Sequence, residues 1–178
     1  MAIIRVSGYP GSGKTTLCKR LAAHLRYEHH YAGGIFRAMA KERGLSIEAF
    51  YEQVAKDPSL EQSVDEKQAE LMQTFDNLVM EGRMAPFQKT PFKTINVLLT
   101  VDPDVGAKRE LEREENRGRS VAEMRELATK RIETERSHYR DLYKVPNHLD
   151  PEHFDIVLDT SGLSKDEVFT EIMHGLKL

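Results

Sequence analysis

The fold is decided by residues 8–16, which read Gly8-Tyr9-Pro10-Gly11-Ser12-Gly13-Lys14-Thr15-Thr16. The stretch matches the phosphate-binding pattern G-x-x-x-x-G-K-[ST], known as the P-loop or Walker A motif. Its glycines let backbone N–H groups point at phosphate oxygens, and the following helix adds the positive end of its dipole. Lys14 can bridge the β- and γ-phosphates, and the Thr15 hydroxyl can bind Mg²⁺. We therefore expect a nucleoside triphosphate at Gly8, Gly11, Ser12, Gly13, Lys14, Thr15 and Thr16.

The chain is short, with 178 residues and a mass of 20.4 kDa, and this size predicts a single domain over 1–178. A net charge of −3 argues against a coat for nucleic-acid polymers. One cysteine, Cys18, excludes an internal disulfide and suits a reducing compartment. Arg5 interrupts the apolar start, and no apolar run is long enough to span a membrane. We expect a cytoplasmic monomer without a membrane partner.

Strand-like and helix-like patterns alternate along the chain, which predicts an α/β fold with a parallel sheet. In such a sheet the ligand site lies at the carboxyl ends of the strands. Gly33-Gly34 is expected to separate the first two helices, and Ser46 and Asp57-Pro58 to start further ones. The predicted strands are 2–6, 78–80, 95–101 and 154–158, and the predicted helices include 14–28, 104–116, 121–143 and 164–176.

The position of the arginines narrows the class of P-loop protein. The chain leaves no room for the accessory domains of a motor, and it lacks the Asn-Lys-x-Asp sequence that reads guanine in GTPase switches. Arg37 follows Gly33-Gly34, and Arg83 follows Glu81-Gly82 at a predicted strand end. Phosphoryl transfer between two anions needs such cations, because arginine binds phosphate bidentately and stays charged.

A second group of arginines lies between 104 and 144. A helical projection of 131–143 places Tyr139 and Tyr143 on an inward stripe, with Arg131 and Arg136 on its two flanks. Flanking side chains can face a cleft while the helix packs on the core. The alternative is that they form surface ion pairs with neighbouring glutamates, which contribute little.

These segments together resemble the cytidylate kinases, a family of nucleoside monophosphate kinases, in their short archaeal-like form. The resemblance runs from Ile3 to about Phe169, and the combination of Ile35-Phe36-Arg37 with Glu81-Gly82-Arg83 is more specific than the P-loop. The landmarks are 8–16, 32–37, 40–46, Glu81-Gly82-Arg83, Arg109 with Arg113, and Arg131 with Glu135, Arg136 and Tyr139.

The resemblance implies that ATP and CMP or dCMP react, with Mg²⁺, to ADP and CDP or dCDP. It implies a three-layer P-loop NTPase fold, in which helices flank a parallel five-stranded sheet with a short second strand. The core would be 1–37, 76–112 and 145–178, with monophosphate-binding helices in 38–75 and a lid in 113–144.

The family also implies roles for individual residues, again as expectations. The acceptor phosphate would be held by Arg37 and Arg83, with Gly33 beside it. Adenine would lie between Arg109 and the segment that contains Ser161. Glu81 would join the water shell of Mg²⁺, whereas Asp102 is expected to cap a helix. The residues expected to neutralise the transferred phosphate are Lys14, Arg113, Arg131 and Arg136.

Three positions depart from the family pattern and leave the acceptor base open. Ala32 replaces a serine that often touches the base, His138 replaces an arginine, and Pro86 replaces a glycine. A kinase for AMP or UMP, or an ATP-binding regulator that transfers nothing, therefore stays an alternative. We expect no metal pair at Glu28-His29-His30, because adjacent residues do not share a helix face and no cysteine or carboxylate has ligand spacing.

Overall fold

The computed structural model describes residues 2–45, 49–50, 53, 57–113 and 116–177, apart from the side chains of Phe36, Arg37, Pro58 and Glu61. The helix start predicted at Ser46 lies outside these residues. Five strands form one sheet in the order β2-β3-β1-β4-β5, and every neighbouring pair is parallel. This confirms the expected fold class. The strands are β1 (Ile3–Gly8), β2 (Glu28–Tyr31), β3 (Leu78–Glu81), β4 (Thr94–Thr100) and β5 (Ile156–Asp159).

Helices cover both faces of the sheet and give the expected three layers. Within the described ranges, none of them is both long and apolar enough to cross a bilayer. The helices are α1 (Lys14–Leu25), α2 (Ala32–Glu42), α3 (Pro58–Thr74), α4 (Pro103–Leu111), α5 (Val121–Tyr143) and α6 (Lys165–Leu176), and short 3₁₀ turns occupy Ala85–Phe87 and Pro151–His153.

The two faces of β1 explain the layering, because successive side chains of a strand point in opposite directions. Ile4 belongs to a buried cluster with Leu21 of α1 and Ile172 of α6. Ile3, on the other face, packs in a second cluster with Met72 of α3. Burying each of these side chains contributes about 1.5–3 kcal/mol, so the alternation of β1 holds the three layers together.

The start of the chain differs from the prediction in two places. Helix α1 ends at Leu25 rather than near Glu28, because Arg26 adopts a left-handed conformation with φ 57°. The chain then forms β2, which carries charged and histidine residues and so lacks a strand signal. Gly34 does not separate two helices but lies in the first turn of α2, where a Cβ would come within 2.9 Å of the Tyr31 ring.

Side-chain caps fix several helix starts. Asp57 caps α3 at the predicted position. The Asp102 carboxylate accepts from the N–H groups of Asp104 and Val105 at 2.9 and 3.1 Å, which confirms its expected role as a helix cap. Helix α4 ends at Leu111, earlier than the predicted residue 116.

All five strands point their carboxyl ends to one edge of the sheet. The P-loop follows β1, Gly82 and Arg83 follow β3, and Thr160 follows β5 at that edge. A single edge therefore collects segments that are far apart in the sequence.

Candidate active site

The P-loop connects β1 to α1 and leaves the N-terminus of α1 without a side-chain cap. Gly13 stands at the cap position of α1 with φ 88°, and glycine has no side chain that could occupy the first turn. Gly11 has φ 72°, and a Cβ on it would lie 2.3 Å from the Gly106 oxygen of α4. Close contact between these two glycines lets α4 pack on the loop. The sequence analysis missed Gly106, since an isolated helical glycine carries no signal of its own.

Lys14 lies at the centre of the site. Its Nζ donates a hydrogen bond to the Tyr9 carbonyl at 2.7 Å. Burial, together with the positive charge of Arg83, lowers the pKa of Lys14 to about 7, although Glu81 acts in the opposite direction. An anion beside Lys14 would favour its charged form. The structure therefore disfavours the charged form of Lys14 at the uncapped N-terminus of α1, where an anion would stabilise it.

Glu81 lies at the end of β3 and faces Thr15. The Thr15 hydroxyl donates to Glu81 Oε1 at 2.8 Å, and His29 Nε2 lies 3.5 Å from Glu81 Oε2. Burial opposes ionisation, but the neighbouring His29 side chain, the Thr15 hydrogen bond and the Lys14 charge outweigh it and lower the pKa of Glu81. Glu81 is thus held as a carboxylate beside the Thr15 hydroxyl.

The lack of ligand spacing around His29 in the sequence does not carry over to three dimensions. The ligand atoms of Cys18, His29 and Glu81 lie within 4.8 Å of one another. The prediction assumed a helix, whereas β2 is a strand that runs beside β3. Burial, and then the Glu81 charge, raise the pKa of Cys18 well above its ordinary value. The thiol therefore stays protonated, consistent with the expected packed core residue.

A largely buried ion pair between Arg83 and Glu135 joins β3 to α5, and the more exposed Arg131 also binds Glu135. Arg83 Nε donates to Glu135 Oε2, and Arg131 Nε donates to Glu135 Oε1 at 2.9 Å. The Arg83 and Glu135 side chains are only 11% and 16% exposed. Burial opposes ionisation of Glu135, yet the His148 ring, whose Nε2 lies 3.6 Å from Oε2, and the charges of Arg83 and Arg131 lower its pKa to about 2. Glu135 therefore holds two guanidinium groups beside the P-loop.

Three cavities follow the carboxyl edge of the sheet. The Arg109 cavity, of about 650 Å³, lies beside Gly11, Thr16 and Arg113. The P-loop cavity, of about 260 Å³, adjoins it, since Gly11, Thr16 and Arg113 line both.

The third, the Gln68 cavity, has a volume of about 330 Å³. Lys14, Arg83 and Arg131 line both this cavity and the P-loop cavity. The three cavities therefore form one cleft, with Lys14 between its ends. A larger groove, of about 900 Å³, lies between α4 and α5, is lined largely by charged side chains such as Lys108 and Arg125, and contains no P-loop residue.

The predicted adenine side is built from α4 and the segment after β5. Arg109 Nη2 donates to the Thr160 carbonyl at 2.7 Å, and Arg109 Nη1 donates to the Thr160 hydroxyl at 3.1 Å. Ser161 Oγ accepts from the Asp102 N–H at 2.7 Å and donates to Asp159 at 2.5 Å. Arg109 is therefore fixed at the wall of the cavity, whereas the Ser161 hydroxyl already forms hydrogen bonds with Asp102 and Asp159.

The other three arginines that were predicted to bind phosphate lie in different environments. Arg113 is half exposed and pairs with Glu110 at 2.8 Å. Arg136 lies on the exposed side of α5 and is not among the residues that line the cleft. Arg37 lies in α2, and its side chain is outside the described part of the structure. The expected roles of these residues stay predictions.

The three departures from the family pattern also have places in the structure. Ala32 and Gly33 line the Gln68 cavity. The Pro86 carbonyl accepts from buried Arg5 at 2.9 Å. His138 is half-buried, with its ring parallel to that of Tyr139 at a centroid distance of 6.1 Å.

Comparison with known proteins shows which family this chain belongs to. A family model described as "AAA domain" matches residues 4–133. A cytidylate kinase of Methanopyrus kandleri is 37% identical over 94% of this chain and 89% of its own length. A cytidylate kinase of Pyrococcus abyssi is 38% identical over 98% of this chain and 93% of its own. Shikimate kinase from Bacteroides thetaiotaomicron has a TM-score of 0.71 at 18% identity over 99% of both chains, a likeness of fold alone.

Proposed function

This chain belongs to the cytidylate kinase family, and we therefore propose that it transfers the γ-phosphoryl group of ATP to CMP or dCMP. The products are ADP and CDP or dCDP. One observation supports this assignment above the others: the cleft has two ends, and they meet at Lys14, Arg83 and Arg131. A regulator that only binds ATP has no need of a second cavity that shares these cations.

The proposed donor end is the P-loop with the Arg109 cavity. The amides of 8–16 and Lys14 hold the triphosphate, and Arg109 and the segment at Ser161 lie on the adenine side. The proposed acceptor end is the Gln68 cavity, where Arg83 and Gly33, together with Arg37, hold the phosphate of the monophosphate.

The reaction needs positioning and charge neutralisation more than covalent chemistry. Lys14 and Arg131 lie between the two ends, where negative charge on the transferred group is greatest. We propose that 113–144 acts as a lid that brings Arg113 and Arg136 to the cleft, that 38–75 closes over the acceptor, and that 1–37, 76–112 and 145–178 form the core. Closure would exclude water and so prevent hydrolysis of ATP.

The donor set fits a magnesium ion. Mg²⁺ prefers oxygen ligands and keeps several waters, and the Thr15 hydroxyl and the Glu81 carboxylate lie side by side. Glu81 Oε2 is buried and has no hydrogen-bond partner among the described residues, so it can accept from a metal-bound water. When bound, the ion would supply charge neutralisation at the phosphates. We also propose that the enzyme is a monomer and that it acts in the cytoplasm. Its single cysteine, Cys18, is a buried free thiol, which suits a reducing compartment.

An acceptor panel tests the proposal. The full-length protein is incubated with ATP and Mg²⁺ and, in turn, CMP, dCMP, UMP, AMP and GMP, and ADP and the new diphosphate are measured. We expect ADP formation that depends on CMP or dCMP. ADP formation with AMP alone would move the assignment to another base, and ADP formation independent of every acceptor would exclude a kinase of monophosphates.

A further inference from the structure

The Gln68 cavity is lined by two chemically different groups of side chains. Lys14, Arg83 and Arg131 line it as cations, together with the carboxylates Glu81 and Glu135, whereas Asp65 and Gln68 line it from α3. Residues three positions apart share a helix face, so these two polar side chains are neighbours. A phosphate suits the first group, and a neutral polar group suits the second.

Gln68 is a buried amide with unused hydrogen-bonding capacity. Its side chain lines the cavity although the residue is only 2% exposed, and its Oε1 has no partner among the described residues. An unpaired buried polar group is costly, and a ligand that pairs with it recovers that cost. Gly82 makes room for this amide, because a Cβ at that position would lie 2.7 Å from Gln68 Oε1.

Asp65 is held in place by a neighbour from another helix. Tyr143 of α5 donates its hydroxyl to Asp65 Oδ2 at 2.6 Å. The Asp65 main-chain oxygen also accepts from Gln88 at 2.9 Å. An ionised carboxylate only accepts hydrogen bonds and has room for more than one donor. A ligand group beside Asp65 must therefore carry an N–H or O–H.

We propose that Asp65 and Gln68 read the base of the acceptor nucleotide and select an amino group over a carbonyl. The inference rests on the proposed function and names the residues that set its specificity. Cytosine presents an exocyclic amine with two N–H groups, of which one can donate to Asp65 and the other to the unpaired Oε1 of Gln68. Uracil presents a carbonyl oxygen at the place of the amine, where it would face the carboxylate.

Asp65 is the discriminating member of this pair. The Gln68 amide can rotate and offer either its donor or its acceptor, so alone it accommodates cytosine and uracil alike. Asp65 cannot donate, so it penalises a carbonyl. Adenine has the same amino and ring-nitrogen pattern as cytosine, and its larger ring must be excluded by the size of the cavity. This pair supplies the base contact that Ala32, without a hydroxyl, cannot make.

The test is the ratio of kcat/KM for CMP to kcat/KM for UMP. Asp65→Asn keeps the shape but adds an N–H donor, and we expect it to reduce the ratio by about 10- to 100-fold. The change should raise the KM for CMP and leave the KM for ATP unaltered. Glu66→Gln is the matched control, because it makes the same carboxylate-to-amide change at an exposed position of α3, and it should keep the ratio.

A second variant covers the case in which Asp65→Asn does not fold. Gln68→Met conserves volume and removes both hydrogen-bonding groups, and it should lower kcat/KM for CMP about tenfold while ATP binding persists. A CMP-selective wild type with an unchanged ratio in Asp65→Asn and unchanged CMP kinetics in Gln68→Met would overturn the base assignment and leave the kinase intact. A wild type without acceptor dependence would overturn the proposed function itself.

Discussion

The two ends of the cleft are built in opposite ways. At the proposed donor end, the triphosphate site is one continuous loop, residues 8–16, which lines the cavity with glycines and one lysine. The acceptor end is assembled from β2, α2, α3, β3 and α5, and it depends on side chains that hold one another, as Glu135 holds Arg83 and Arg131. Backbone sites tolerate change in most side chains, whereas a side-chain network transmits the loss of one member to the others. Triphosphate binding at the donor end should therefore depend on Lys14 more than on any other side chain, and the acceptor end on several residues together.

Removal of Lys14 is the most severe test of the donor end. Lys14→Ala should reduce kcat by about 10³-fold, because it removes the cation that we propose neutralises the transferred phosphate. Steady-state ADP formation measures the effect. Lys19→Ala, an exposed lysine on the same helix, is the control and should be near wild type. A Lys14→Ala enzyme that keeps its rate would contradict the central position of this residue.

Removal of Arg83 tests the acceptor end. Arg83→Ala should lower kcat/KM for the acceptor by about 10²-fold, because it removes a largely buried guanidinium that we propose binds the acceptor phosphate. The Kd of ATP should change little, which separates the two ends by calorimetry. Arg125→Ala removes an exposed ion pair with Asp104 away from the cleft and serves as the control. Equal losses in ATP and acceptor binding would show that the ends are not separable.

Glu135 tests whether the acceptor end is a network. Glu135→Gln should raise the acceptor KM about tenfold, since Arg83 and Arg131 lose the charge that positions them. Glu133→Gln, exposed on the same helix, should not. The folded-state pKa of Glu135, about 2, lies below its ordinary 4.5, so its stabilisation is present above pH 4.5 and lost as the pH falls toward 2. Urea unfolding should show a wild-type advantage over Glu135→Gln at pH 7 that shrinks in that window.

The pH dependence of ATP binding gives the smallest effect. The pKa of Lys14 is about 7 in the structure, and bound phosphates should raise it. Above pH 7 the free enzyme loses the Lys14 proton, so binding must take it up again and the Kd of ATP should rise. From pH 7.5 to 8.5 we expect an increase of at most about tenfold. Calorimetry in two buffers of different ionisation enthalpy should detect proton uptake, which Lys14→Met should abolish.

The same contrast explains what the sequence could predict. The P-loop is local, so its pattern indicates both the site and the start of α1 without further information. Helical periodicity also predicted an inward Tyr139 with Arg131 on a flank, and the structure shows Tyr139 buried. Local patterns such as these are readable because neighbouring positions fix one another.

The parts that no local pattern indicated depend on long-range packing. Strand β2, expected from the family resemblance alone, lacks apolar alternation and exists because it pairs with β3. Gly106 matters through its contact with Gly11, almost a hundred residues earlier. Asp65 and Gln68 belong to a charged helical stretch that reads as a solvated face, and only the packing of α3 against the end of β3 brings them to a cavity.

The buried guanidinium of Arg5 links the two ends of the cleft through one strand. It lies in β1, which leads into the P-loop, and donates to the carbonyls of Ala85 and Pro86 at 3.1 and 2.9 Å, just after Arg83. A chimera that imports this turn from a kinase of different specificity must offer carbonyls at the same two places. Otherwise the Arg5 guanidinium would be buried without hydrogen-bond acceptors. New acceptor preferences should therefore be easier to engineer on α3 than in the turn itself.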